Sequence, residues 1–227
     1  MTTGSGLRLV DVAAGAGLGE IGAGRLVPAI GADGIDPFFS ADGTMIATAR
    51  GFQGGADVWD VVTGTSIASV GARPGEHHPA DGVALSPDGR TLAVGGWGPV
   101  ARLVDVPTGK LLHELDLAGT GAFALEFTPD SRTLAVSGWG QGVASLWDVA
   151  TGTQIGPRLT AGSRRTMLDV SPDGQRLLVA ASNGEGAVWD IDPEVWKQRA
   201  CAIANRTLTR EEWDEFLPNR PYEPACR

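Results

Sequence analysis

Cysteine and histidine are scarce: the 227-residue chain holds two of the first, Cys201 and Cys226, and three of the second, His77, His78 and His113. A metal centre needs several such ligands at short fixed spacings, so none is expected. Long apolar runs are missing as well. No segment approaches the ~18 apolar residues of a membrane span, and no cationic stretch followed by an apolar one opens the chain. The expectation is therefore a soluble, cytoplasmic protein without a membrane partner. Positive charge is the scarcer sign, with 18 Lys and Arg against 27 Asp and Glu for a net charge of -9. The deficit concentrates in residues 1–191, which carry 20 acids and 12 bases, whereas the last 36 residues carry 7 and 6. Such a surface repels phosphate backbones, which argues against nucleic acid as a partner.

Glycine and proline are abundant, at 33 and 14, as suits a fold with many tight turns. They punctuate a repeat. LRLVDVAAG at residues 7–15 returns as ADVWDVVTG at 56–64, ARLVDVPTG at 101–109 and ASLWDVATG at 144–152, and in shortened form as AVWDI at 187–191. The shared aspartates, Asp11, Asp60, Asp105, Asp148 and Asp190, lie 49, 45, 43 and 42 residues apart. A second string keeps the same beat, starting at Ser40, Ser86, Thr128 and Ser171 with spacings of 46, 42 and 43. Two independent markers with one period identify stacked or radial repeats.

One repeat, from residue 82, shows what each unit folds into. GVALS alternates apolar Val83 and Leu85 with small residues, the pattern of a strand. Leu125 and Phe127, Leu168 and Val170, and Phe39 hold the matching apolar column. Ser86-Pro87-Asp88-Gly89 supplies a turn, because Pro87 presets φ, Asp88 can bond its own backbone and Gly89 can take positive φ. TLAVGG then forms a second strand, GWG at 96–98 a corner, ARLVDV a third strand, Pro107-Thr108-Gly109 a turn and KLLHEL a fourth strand. Four antiparallel strands in about 42 residues, repeated around an axis, describe a propeller blade.

On these residues the chain resembles the WD40 repeat family. Trp59-Asp60, Trp147-Asp148 and Trp189-Asp190 stand where that family places its name-giving dipeptide, and Val10-Asp11 and Val104-Asp105 are degenerate versions. The resemblance spans residues 7–191 and implies an all-β fold, a β-propeller of the WD40 type with about four blades and a partial N-terminal blade. It departs from the family in two ways: the Gly-His pair that opens the repeat is absent, and no Asp sits in the corner before the third strand. The hydrogen-bond tetrad that locks many such blades therefore cannot form, and blades held mainly by packing and backbone ladders are expected.

The expected organisation is residues 1–191 as propeller, with a partial blade over 1–30 and repeats near 35–75, 80–120, 121–163 and 164–191, followed by a helical extension over 192–227. Asp192, Pro193 and Glu194 form a helix start, after which Trp196, Ala200 and Ile203 recur on one face. Thr209 and Glu212 fit a capping box, with Leu208 and Trp213 as its hydrophobic staple, and Pro218 ends the helix. Both helices are expected to dock on the propeller through Trp196, Trp213 and Phe216. Whether Cys201 and Cys226 are joined stays open at this point. The tail resembles the C-terminal extension of bacterial multidomain WD40 proteins, in which a propeller follows a signalling module.

Few motifs carry chemistry. GLGEIG at 17–22 spells a dinucleotide fingerprint, but that site needs a helix next, and Pro28 with further glycines interrupts any helix there. No cofactor is expected. His77 and His78 are adjacent in a loop, and adjacent side chains on an extended chain point apart. Glu126 and Asp169 take equivalent inner-strand positions, where hydrogen bonding to a loop is favoured over acid-base work. Trp97 and Trp139 stand 42 residues apart in equivalent corners, with Phe52 at the matching place in an earlier repeat. In a propeller these corners share a rim with the links between blades, which hold His77, His78, Arg164 and Arg165. Aromatic and arginine side chains on one rim suit a protein-binding hot spot. The other reading is that the indoles close the gap between neighbouring blades, and a half-buried Trp can serve both ends.

The expected function is thus a non-enzymatic interaction or scaffold module that binds a protein partner or another domain of a parent chain. One alternative is a propeller enzyme, since the Ser-Pro-Asp-Gly hairpins also resemble those of lactonase-like propellers. Another is a fragment without independent function: four visible blades are fewer than the roughly seven of a closed WD40-type ring. An open arc would self-associate through its blade edges.

Overall fold

The computed structural model describes residues 7–11, 16–21, 37–50, 54–72, 80, 82–138, 142–160, 166–181, 183–204, 206 and 209–216. A two-stranded hairpin, β1 (Leu7–Asp11) with β2 (Ala16–Ile21), comes first. GLGEI therefore lies within a strand paired antiparallel to β1, and residues 22–36, where a phosphate-binding helix would begin, lie outside the described residues. Asp11 ends β1 and pairs with Ala16.

Four antiparallel sheets follow, each in simple chain order. The first is β3 (Phe38–Phe39), β4 (Met45–Ala49), β5 (Gly55–Asp60) and β6 (Ser66–Gly71), and the second is β7 (Gly82–Leu85), β8 (Thr91–Gly95), β9 (Val100–Asp105) and β10 (Leu111–Asp116). The third is β11 (Ala124–Phe127), β12 (Thr133–Ser137), β13 (Val143–Asp148) and β14 (Gln154–Thr160). In the fourth, β15 (Thr166–Val170), β16 (Arg176–Ala181) and β17 (Gly186–Asp190) are the described strands. The first strands pack in succession, β3 on β7, β7 on β11 and β11 on β15, which places them side by side as the innermost strands of a propeller. About four blades and a short helical tail make up the fold, as the repeat implies.

The apolar runs of β8, β9, β12 and β13 look continuous because both faces of the second and third blades are buried, and the period of two sorts them between two neighbours. In the second blade Leu92, Val94 and Val104 join Ala47, Val58 and Val70 of the first. Ala93, Ala101 and Leu103 turn the other way and join Leu134, Val136 and Trp147 of the third. Ala135, Ala144 and Leu146 of the third meet Leu177 and Val179 of the fourth. The core is thus a series of seams between blades, and Trp147 and Trp189 each face the preceding blade.

Two side-chain devices repeat. In the first-to-second hairpin the Ser86 hydroxyl donates to Asp88 Oδ1 at 2.6 Å and accepts the Thr91 N–H at 2.8 Å, while Asp88 Oδ1 accepts the Arg90 N–H at 3.0 Å. Ser40 with Asp42, Thr128 with Asp130 and Ser171 with Asp173 repeat the hydroxyl-to-carboxylate bond at 2.6 Å. Three of these turns place glycine at positive φ, Gly43, Gly89 and Gly174, and the third blade puts Ser131 there at 62°. After the third strand the aspartate caps a turn: Asp60 Oδ1 accepts the Thr63 N–H at 2.7 Å and Asp148 Oδ1 the Thr151 N–H at 2.8 Å. Asp105 does the same with Thr108 at 3.1 Å. The Asp of the dipeptide is here a turn cap.

The tetrad's absence does not leave the blades without polar locks. Arg50 bridges Asp57 and Ser69 across β4, β5 and β6, and Trp59 Nε1 donates to Thr48 Oγ1 at 3.0 Å. Arg102 donates to the Gly71 carbonyl of the preceding blade at 2.9 Å. Buried donors and acceptors require such partners, and these bonds add to the packing and the ladders.

Helix α1 (Pro193–Ala204) starts as expected, with Asp192 Oδ1 accepting the Glu194 N–H at 2.8 Å. Its expected apolar face is not what docks. Trp196 packs on the last seam and its indole donates to the Asp190 carbonyl, while Ala200 is exposed and Ile203 is 86% exposed. Asp190 explains the geometry: lacking a Thr three residues on, it binds Arg199 of the helix instead of capping a turn. Helix α2 (Arg210–Phe216) carries the expected capping box, Glu212 N–H to Thr209 Oγ1 at 3.2 Å and Thr209 N–H to Glu212 Oε2 at 2.9 Å. The side chains of Trp213 and Phe216, and Leu208 altogether, lie outside the described residues. Cys201 is disulfide-bonded.

Candidate partner-binding rim

The corner between β8 and β9 is Gly96-Trp97-Gly98-Pro99, and its sequence leaves the indole outside. Gly96 and Gly98 are buried where Trp97 is 55% exposed. The link into the third blade folds against this corner. The Leu117 N–H donates to the Pro99 carbonyl at 2.8 Å and the Ala122 N–H to the Gly96 carbonyl at 2.7 Å. A Cβ on Gly121 would stand 2.8 Å from the Gly96 oxygen, so only glycine permits the approach. Corner and link therefore share one rim, as expected of equivalent propeller positions.

That link is locally strained. Ala118 takes φ 49° and is followed by Gly119 at 80° and Gly121 at 68°. A non-glycine residue in the left-handed region persists only where its surroundings hold it. Asp116 supplies one restraint, its Oδ1 accepting the Ala118 N–H at 2.8 Å. Of the expected rim residues, Trp97 is the one described. Phe52, His77, His78, Trp139, Arg164 and Arg165 lie outside the described residues.

The markers sort into structural roles. Trp59 and Trp147 are buried and donate to Thr48 and to Ser145, the latter at 2.9 Å. Trp189 is half-buried, and its Nε1 is buried without a hydrogen-bond partner among the described residues. Asp60, Asp105 and Asp148 cap turns, and the Thr63 N–H and hydroxyl hold the Asp60 carboxyl below its ordinary value. His113 reaches across to the third blade, its Nε2 3.0 Å from the Ala150 carbonyl, so it belongs to a seam.

Among the described residues, Glu126 is the inner-strand carboxylate held above its ordinary value. Burial is the main cause and the nearby Asp169 charge adds to it, while a hydrogen bond from the Val170 N–H opposes them. Its partner is thus the neighbouring innermost strand and not a loop. Asp169 itself is exposed. Among the described residues no group of three or more His, Cys, Asp or Glu is placed to hold a metal ion. No described helix is long and apolar enough to cross a membrane.

With the fold and rim in place, the chain can be set beside known proteins. It is similar to protein groucho of Drosophila melanogaster, with 28% identity over 155 residues, 62% of this chain and 20% of that protein. The fold is a β-propeller of about four blades. Among solved structures it is similar to hydrazine synthase of Kuenenia stuttgartiensis, with a TM-score of 0.58 and 20% identity over 68% of this chain and 45% of that one. At that identity the likeness speaks for the fold alone. The chain thus spans about a fifth of groucho and under half of the synthase chain. No family model matches it.

Sequence reasoning missed the Arg50–Asp57 pair and the outward face of the fourth blade. A usable signal existed for the second. Val188 and Leu178 fall in repeat columns that hold Val58, Leu103 and Leu146, and Ala47, Ala93 and Ala135, and no following repeat in the pattern covers them.

Proposed function

We propose that the chain is a non-enzymatic interaction module whose corner-and-link rim, centred on Trp97, receives a protein partner or another domain of a parent chain. The observation that carries this reading is the exposed indole held on a tight glycine corner, braced by a strained link, on an otherwise well-packed scaffold. An exposed, rigidly presented Trp has the low entropic cost and large contact area of interface anchors. Arg164, Arg165, His77 and His78 join it in the proposal, as do Phe52 and Trp139 at the equivalent corners. The similarity to groucho supports a propeller used for binding. A cytoplasmic setting, a bacterial signalling context and a rim that avoids nucleic acid are parts of the same reading, the last supported by the acidic repeat region.

Capture of binding partners on the immobilised chain tests it. Trp97→Ala with Arg164→Ala should weaken capture at unchanged melting temperature, and unchanged capture would sink the rim assignment. The enzyme reading is tested on the same preparation, where stoichiometric bound metal would favour it.

A further inference from the structure

The fourth strands of the first three blades share a polar column, one residue before the aliphatic side chain that pairs with Ala56, Ala101 or Ala144. In two blades a charged residue stands across the sheet from that column: Ser69 lies opposite Asp57, and Glu114 opposite Arg102. In the third blade the column holds Arg158, and the place of Asp57 and Arg102 is taken by Ser145. Ser145 is uncharged, and its hydroxyl is committed to the Trp147 indole at 2.9 Å. Arg158 therefore meets no charge across its own blade.

Its direction is fixed locally. Leu159, the next residue, is buried in the seam with the fourth blade, so alternation turns Arg158 toward the second. There the half-buried guanidinium donates through Nη2 to the Leu117 carbonyl at 3.3 Å. Leu117 is the residue whose N–H holds the Pro99 carbonyl, so Arg158 reaches the link that braces the Trp97 corner. The same Leu117 oxygen accepts the Thr120 N–H at 3.3 Å and the Thr120 hydroxyl at 2.9 Å. One carbonyl shared among three donors satisfies little of a fork with five N–H groups. Asp116, on the same link, spends Oδ1 on the Ala118 N–H at 2.8 Å. In a chain of net charge -9, Arg158 has no carboxylate partner among the described residues, whereas Arg50, Arg199 and Arg206 each have one.

We propose, resting on the rim reading above, that Arg158 reads the charge of the partner. The rim receives an extended segment in which an Asp or Glu side chain is taken by the Arg158 fork while a neighbouring apolar side chain packs on the Trp97 indole. A guanidinium takes a carboxylate through two parallel hydrogen bonds, and partial burial strengthens them. A Lys or Arg at the same place in the segment is repelled. The chain's net negative charge opposes an acidic segment at long range, but at 0.1 M salt that repulsion is screened beyond about 10 Å, and the fork acts within that distance.

The probe is a bead-bound library of randomised nine-residue peptides with amidated C-termini, so that side chains supply every carboxylate, screened against the intact chain. The expected result is enrichment of Asp or Glu beside an aromatic or aliphatic residue. In anisotropy titrations of an enriched peptide, Arg158→Gln should weaken binding about tenfold or more, as should the amide in place of the peptide's acid. The two changes together should cost no more than either alone. Arg158→Glu should bind the same peptide better once its acid is replaced by Lys. The peptide-side change leaves the protein unaltered, so it decides the matter even where a variant fails to fold. A library without binders, enriched peptides without acids, or an affinity indifferent to the peptide's acid would overturn the role of Arg158. Binding that ignores Arg158→Gln but is lost in Trp97→Ala would overturn it while leaving the rim in place, and binding indifferent to both would sink the rim as well.

Discussion

Replacing Ala187 with serine should stabilise this protein, although it puts a polar group where an apolar one stood. In the first and third blades the marker indole has a hydroxyl to donate to, Thr48 for Trp59 at 3.0 Å and Ser145 for Trp147 at 2.9 Å. The fourth blade has Val179 at the Thr48 position and Ala187 at the Ser145 position, and Trp189 Nε1 is left buried without a partner among the described residues. A buried unsatisfied donor costs roughly 1–3 kcal/mol, and a hydrogen bond that satisfies it returns about 1 kcal/mol net once the new hydroxyl's own desolvation is counted. For a chain of this size that corresponds to a rise in melting temperature of about 2–4 °C. The assay is thermal unfolding of Ala187→Ser in two backgrounds, native and Trp189→Phe. The gain should appear in the first and vanish in the second, and Ser145→Ala should cost a similar amount in the third blade. A neutral Ala187→Ser, or an equal gain with Phe at 189, would refute the reasoning.

Gly152→Ala is expected to cost about 2 kcal/mol, because glycine there takes φ 66° and a Cβ would stand 2.6 Å from His113 Cγ. Chemical denaturation checks it, and adding His113→Ala should recover the steric share. Glu126, whose carboxyl is held above its ordinary value by burial, contributes stability that is present below its unfolded value and lost as pH rises through the folded one. Melting temperature measured across that window should fall more steeply for the native chain than for Glu126→Gln, and parallel curves would contradict the assignment. In the cytoplasmic setting of the proposal the Cys201 disulfide would be kept reduced. Alkylation of the protein as it leaves its native cell should therefore modify Cys201, and a Cys201 spared from alkylation would contradict that setting.

The repeat made most of this architecture legible. A period carried by two markers announced four units, and the alternation within each unit announced strands, because a blade buried on both faces forces apolar residues into every position that neighbours can reach. Glu126 and Asp169 were visible as a matched pair by the same logic. What the sequence concealed were interactions between units. Asp190 looks like Asp60 and Asp148, yet it binds Arg199 because Thr is missing three residues later. Trp196, Ala200 and Ile203 share a helical face, yet Trp196 is what packs, since the helix meets the end of one blade and not a broad surface. The Arg50–Asp57–Ser69 lock joins three strands through residues that no local pattern relates. At the rim, the repeat placed Trp97 in a corner but left its exposure open, and the strain at Ala118 depends on the blade-to-blade contact that Gly121 allows.

Hydrogen exchange on the intact chain, free and bound to the partner captured on it, tests the central claim most directly. The account predicts new protection at Gly96–Pro99 and Leu117–Phe123, where corner and link share the rim. Protection confined to the innermost strands around Glu126 and Asp169, with the Trp97 corner unchanged, would contradict it.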